Sequence, residues 1–130
     1  DRINKVIKKR EGFRPFAPMV IKEKQHQFFE MTDDVPYMNQ VVKVKEEYKD
    51  KLPAVTHVDG SARVQTVYRY TIIHDLLMEF EKLSGYPILL NTSFNIKDKT
   101  MVLTPKDAVD TFFDTDMDIL VMGNYVMYKN

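Results

Sequence analysis

The chain has 130 residues, 44% of them hydrophobic and 29% charged, with no cysteine and a formal net charge of zero at pH 7. That length suits one domain, 1–130, with a real core; the composition excludes disorder, and the missing cysteines exclude disulfides and thiolate chemistry. Neutrality argues against a long nucleic-acid track, and no run reaches the length of a transmembrane helix.

Charge is unevenly spread. Residues 1–24 hold eight cations (Arg2, Lys5, Lys8, Lys9, Arg10, Arg14, Lys22, Lys24) against three acids (Asp1, Glu11, Glu23). A basic corner on a neutral chain fits either a compact anion such as phosphate or a solvated linker. The start, Asp1-Arg2-Ile3-Asn4-Lys5, lacks a signal peptide's apolar core, so the cytoplasm is the expected compartment and no membrane partner is expected. It also lacks an initiator Met, so we expect it to begin inside a longer protein.

Residues 3–10 read as a short helix with Ile3, Val6 and Ile7 on one face, ended by Gly12. The run Phe13 to Pro18 holds two prolines that force extended backbone, with Arg14 fixed between them. Met19 to Lys24 is expected as a strand, Gln25 to Phe29 as a short helix or loop, Asp33 to Met38 as a turn and Val41 to Lys45 as a strand with one wet face. Glu46 to Lys51, almost all charged, reads as an exposed loop. Pro53 to Val67 reads as a hairpin turning at Asp59-Gly60. Its polar load is dense: His57, Asp59, Arg63, Gln65 and Thr66, with Arg63, Gln65 and Val67 sharing a face by alternation.

Thr71 to Leu83 is the clearest helix, with Ile72, Leu76, Phe80 and Leu83 at helical spacing, Ile73 and Leu77 widening the stripe, and Ser84-Gly85 as its stop. Ile88-Leu89-Leu90 then reads as a buried strand that breaks off into Asn91, Thr92, Ser93 and Asn95. Short donors at a strand end reach phosphate or carboxylate oxygens; the same residues also make ordinary polar turns that bond their own backbone. Thr104-Pro105-Lys106-Asp107 is a strong helix start, with Ala108, Val109, Phe112 and Phe113 as the buried face beyond it. The acids Asp114, Asp116 and Asp118 invite a calcium loop, but Ile119 stands where that loop needs Gly and Tyr125 where it needs Glu. Ile119 to Tyr128 closes the chain as a hairpin turning at Gly123-Asn124. Interleaved strands and helices with hairpins give the class α/β or α+β, a twisted mixed sheet with flanking helices.

Four stretches, Ile7 to Pro18, Pro36-Tyr37-Met38, Pro53 to Val67 and Leu89 to Asn95, together resemble the C-terminal domain of the O-carbamoyltransferases, including nodulation-factor and antibiotic carbamoyltransferases. The resemblance runs over nearly the whole chain in order. It implies a single domain similar to YrdC-type domains, whose Lys-x-Arg and Ser-x-Asn motifs fall on Lys8 with Arg10 and on Ser93 with Asn95. It further implies ATP with Mg2+ and carbamoyl phosphate as ligands, and carbamoyl adenylate as product. That product passes to a metal-bearing, actin-like N-terminal domain absent here, where an acceptor hydroxyl takes the carbamoyl group. This fragment is therefore not expected to complete the reaction.

On this reading Lys8, Arg10 and Arg63 are the catalytic cations. Arg14, His57, Gln65, Thr66, Asn91, Thr92, Ser93 and Asn95 are the substrate- or nucleotide-binding residues, with no metal held by this chain. A structural histidine bonded to its turn is an equal reading of His57. The family usually continues after Asn95 into Gly-Glu-Pro-Ile-Val, whereas this chain has Asp98-Lys99-Thr100-Met101-Val102, which changes the backbone angles available and reverses a charge. Gly12 and Ser61 stand where the family more often has Pro and Thr. A nucleotide- or RNA-binding module without chemistry, or a structural cap on a larger enzyme, are the alternative readings; neutrality weighs against RNA.

Overall fold

The computed structural model describes residues 2–9, 11–12 and 14–129. They form two compact units, one of Pro15–Thr92 and one that joins Asp1–Arg14 to Ser93–Asn130. The class is α+β.

The Pro15–Thr92 unit holds, in chain order, β1 (Ala17–Ile21), α1 (Gln25–Phe28), β2 (Phe29–Glu30), β3 (Val42–Val44), α2 (Glu46–Lys49), β4 (Ser61–Ala62), β5 (Gln65–Val67), α3 (Ile72–Ser84) and β6 (Ile88–Asn91). Strand β1 is the centre of a sheet, parallel to β5 and antiparallel to β6; its mixed character is the one that the interleaved pattern predicts, while the strand order is not legible in the sequence. Met19 lies opposite Gln65 on one side and Leu89 on the other, Ile21 opposite Val67 and Ala17 opposite Asn91. Alternation therefore puts these residues on one face and Val20, Thr66 and Ile88 on the other. Helix α3 covers the first face, packing Leu77 and Met78 on Met19, Ile21, Val67 and Leu89. Val20 and Ile88 of the second face meet Phe28, Phe29, Val44, Ala62 and Val64, which belong to the antiparallel β2-β3-β4 sheet and its flanks. Helix α3 has both expected ends: the Thr71 hydroxyl accepts the His74 N–H, and Gly85 takes a φ of +78°.

The other unit has a π-helical turn at Ile3–Ile7, α4 (Pro105–Phe113), β7 (Ile119–Met122) and β8 (Tyr125–Tyr128). Thr104 and Asp107 form the predicted capping box of α4, and Met122 faces Tyr125 across the predicted two-residue turn. Ala108, Phe112 and Leu120 form the core of this unit.

Several expectations need correction. Residues 53–67 are not a hairpin: the turn at Asp59-Gly60 is present, but β4 pairs with β3 and β5 with β1, because each strand finds a better partner far away in sequence. The strand after Met19 stops at Ile21, and the charged run after Lys45 contains the helical turn α2. In the first turn Asn4 is buried and Val6 is exposed, since Asn4 Nδ2 donates to the carbonyls of Arg14 (2.8 Å) and Gly12 (3.3 Å). Phe113 of α4 and the Ile72, Leu76 and Leu83 stripe of α3 face outward. Among the described residues no helix is long and apolar enough to cross a membrane.

Candidate functional site

Lys8 follows the π-helical turn, and Ser93 follows the last residues of β6 in sequence. The turn ends with the Lys8 N–H bonded to the Ile3 carbonyl, and the Lys8 carbonyl accepts the Lys97 N–H at 2.9 Å. That main-chain bond anchors the Ser93–Asp98 loop to the turn. The Lys8 side chain is buried, and its ammonium donates to the Ser93 carbonyl at 2.6 Å, to Asn95 Oδ1 at 2.9 Å and to Ser93 Oγ at 3.4 Å. Ser93 Oγ also donates to Asn95 Oδ1 at 2.6 Å, so that oxygen accepts twice and the amide can sit only one way round. The Lys and Ser-x-Asn residues that the sequence sets 85 positions apart are thus one knot.

Around it Lys8, Glu11, Arg14, Ser93, Asn95, Lys97 and Asp98 line a cleft of about 310 Å³. Glu11 lies between two exposed cations, with Arg14 Nε 3.0 Å from its Oε2 and Lys97 Nζ 3.5 Å from its Oε1. The Arg14 contact is an ion pair without an aligned hydrogen bond. A bond from its own backbone N–H, then the charges of Lys97 and Arg14, holds the Glu11 carboxyl below the usual range. Three cations against two carboxylates leave the cleft mildly positive, with donors short enough to grip a phosphate-sized anion. Arg10 lies outside the described residues.

Sequence reasoning missed Glu11, Lys97 and Asp98. Glu11 was legible as the lone acid inside a basic run; Lys97 and Asp98 carried no signal beyond belonging to the loop that departs from the family pattern. That loop puts Asp98 at a φ of +63°, a region Gly would occupy freely.

The remaining candidates lie in the Pro15–Thr92 unit. Asn91 Nδ2 donates to Gln65 Oε1 at 2.6 Å, bridging β6 and β5 over β1, and Gln65 Nε2 donates to the Pro36 carbonyl at 3.1 Å. Thr66 is buried: its hydroxyl accepts the Val35 N–H at 2.8 Å and donates to Gln25 Oε1 at 2.7 Å. Gln25 in turn donates to Asp34, whose carboxyl is held low first by Lys22. That hydroxyl serves the core. His57 sits at the Asp59-Gly60 turn with Nδ1 3.4 Å from Ser61 Oγ, while Ser61 Oγ donates to Asp59. Arg63 and Thr92 are exposed, and Arg63 makes no side-chain hydrogen bond or ion pair among the described residues.

Sequence comparison with known proteins places the chain in a family. The chain is 50% identical over 134 residues to nodulation protein NolNO of Sinorhizobium fredii, covering 99% of this chain and 20% of that protein. It is 48% identical to nodulation protein NolO of Bradyrhizobium diazoefficiens, covering 99% of the chain and 24% of that protein. Nodulation protein U of Azorhizobium caulinodans matches at 44% over 97 residues, 73% of this chain. The chain therefore spans about a quarter or less of the length of these relatives. The family described as "Carbamoyltransferase C-terminus" matches residues 1–129, and the chain belongs to it.

Proposed function

We propose that this chain is the donor-activating part of an O-carbamoyltransferase: it binds ATP with Mg2+ and carbamoyl phosphate and forms carbamoyl adenylate. An N-terminal part of the same polypeptide delivers the carbamoyl group to an acceptor hydroxyl. The observation that carries the reading is the buried Lys8 ammonium tied to Ser93 and Asn95 in a cationic cleft. Hydrolysis of carbamoyl phosphate by water yields carbamate and inorganic phosphate; attack of a carbamate oxygen on the α-phosphorus of ATP, with pyrophosphate leaving, then gathers negative charge on phosphate oxygens. Fixed cations and short donors stabilise that charge without a general-base dyad. The residues present fit the phosphate end of such a ligand. Arg14 and Lys97 are the exposed cations that would meet its oxygens, and Lys8 keeps the Ser93–Asn95 loop in shape beneath them. A cleft of about 310 Å³ accommodates phosphate groups or carbamoyl phosphate, not a whole nucleotide, so the nucleoside rests outside it.

One observation favours a structural cap instead: the Lys8 ammonium is already bonded to protein oxygens. Calorimetry of the full-length protein with ATP and Mg2+ separates the two. A nucleotide site saturates at one equivalent and is lost in Arg14→Ala with Lys97→Ala. No heat of binding supports the cap, and binding of RNA that collapses with added salt supports the nucleic-acid reading.

A further inference from the structure

Helix α3 carries its apolar residues on the wrong side for a self-contained fold. Ile72, Leu76 and Leu83 fall within about 40° of one another around the axis, and Leu77 and Glu81 lie roughly 140° and 180° from Ile72. The side packed on the β5-β1-β6 sheet is the one with Leu77, which is 0% exposed. Polar groups share that side: His74 is 13% exposed at its side chain, and Glu81 is 21% exposed and paired with Lys24. The stripe itself points to solvent, with Ile72 79%, Leu76 52% and Leu83 88% exposed. Tyr70, just before the helix, is exposed as well but lines a separate cleft with Lys22, Glu23 and His26, so the stripe consists of the helix residues alone. Contiguous apolar surface of this kind marks a contact face.

We infer that this stripe is a docking surface for the part of the polypeptide that lies outside these 130 residues. The inference rests on the longer polypeptide of the functional reading, but on none of its nucleotide chemistry. Relatives that match 99% of this chain devote only 20% and 24% of their length to it, so most of each lies elsewhere and needs an attachment surface. A second copy is the competing occupant: the margin beside the stripe carries Asp75 and the Glu79–Lys82 ion pair of 2.6 Å, so charge does not select against it and the mass of the crosslinked product decides. The surface that fits is apolar, with a cation opposite the exposed Asp75.

The test places a benzophenone amino acid at Ile72 or Leu83 of the full-length protein, with Lys82 of the same helix as control. After irradiation at low concentration, the stripe positions are expected to crosslink within one molecule to residues outside the 130, several-fold more than Lys82. Products of doubled mass, crosslinks confined to the 130 residues, or yields no higher than at Lys82 overturn the inference. Crosslinks of the expected kind from protein that binds no nucleotide uphold the docking surface and overturn only the functional reading.

Discussion

The ammonium of Lys8 lies 2.6 Å from the carbonyl oxygen of Ser93, a residue 85 positions later, and with Asn95 Oδ1 at 2.9 Å it closes the Ser93–Asp98 loop onto the first turn. A hydrogen bond from a charged donor contributes about 1.5 to 3 kcal/mol, and its acceptors here, exposed Ser93 and half-buried Asn95, can turn to water when it is lost. We therefore expect Lys8→Met to destabilise the protein by about 2 kcal/mol in urea denaturation. It should also abolish nucleotide binding through loss of loop shape. A Lys8→Met protein of unchanged stability would mean that the knot contributes nothing to the fold.

Gly60 has a φ of +76°, and a Cβ there would stand 3.0 Å from Lys49 Cε. The lysine is flexible and can withdraw, so the backbone conformation dominates the cost. Gly60→Ala should lose about 1 to 2 kcal/mol. A thermal scan that shows no loss would mean that the turn relaxes to negative φ.

Much of the local structure was legible because local chemistry determines it. The ends of α3, the capping box of α4 and the Gly123-Asn124 turn each depend on residues within four positions of one another. What failed was long-range. The Asp59-Gly60 turn is a true turn, but whether Ser61–Ala62 and Gln65–Val67 pair with their neighbours or with β3 and β1 depends on burial that no local pattern records. The α3 stripe was legible as apolar, yet not as outward, because periodicity says which residues share a face and not what covers it. At the site, motif resemblance singled out Lys8, Ser93 and Asn95; the backbone bond from Lys97 to Lys8 that holds them together has no trace in side-chain chemistry.

The cap of α4 gives a pH dependence. The Asp107 carboxylate accepts the Thr104 N–H at 3.0 Å, and bonding with Thr104 holds its pKa below the ordinary aspartate value. A depressed folded pKa means that this stabilisation is complete above the unfolded value, about 4, and is lost as pH falls through the folded value. We expect carboxyl-carbon NMR to show Asp107 titrating below the unfolded range, and α4 amides to exchange faster below that point. In Thr104→Ala, which should cost about 1 kcal/mol, the Asp107 pKa should move back up. An Asp107 that titrates normally in the native protein rejects the capping-box account.

Arg63 tests the chemistry rather than the fold. It is exposed and bonded to no described residue, so Arg63→Lys should leave the melting temperature within the change expected of a surface swap, about 0.5 kcal/mol. If its planar fork grips two oxygens of the donor, lysine keeps the charge and loses the paired geometry. Removing such a contact from the transition state costs on the order of 2 to 4 kcal/mol, so carbamoyl transfer by the full-length protein should fall about a hundredfold or more. The same variant should bind ATP with little change, because the loss is confined to the reacting state. Near-normal transfer removes Arg63 from the site, and the chemistry then rests on the Lys8, Arg14, Ser93, Asn95 and Lys97 cleft alone. Unfolding of Arg63→Lys would show that the exposed guanidinium has a structural partner, and the assignment of a catalytic role would fall with it.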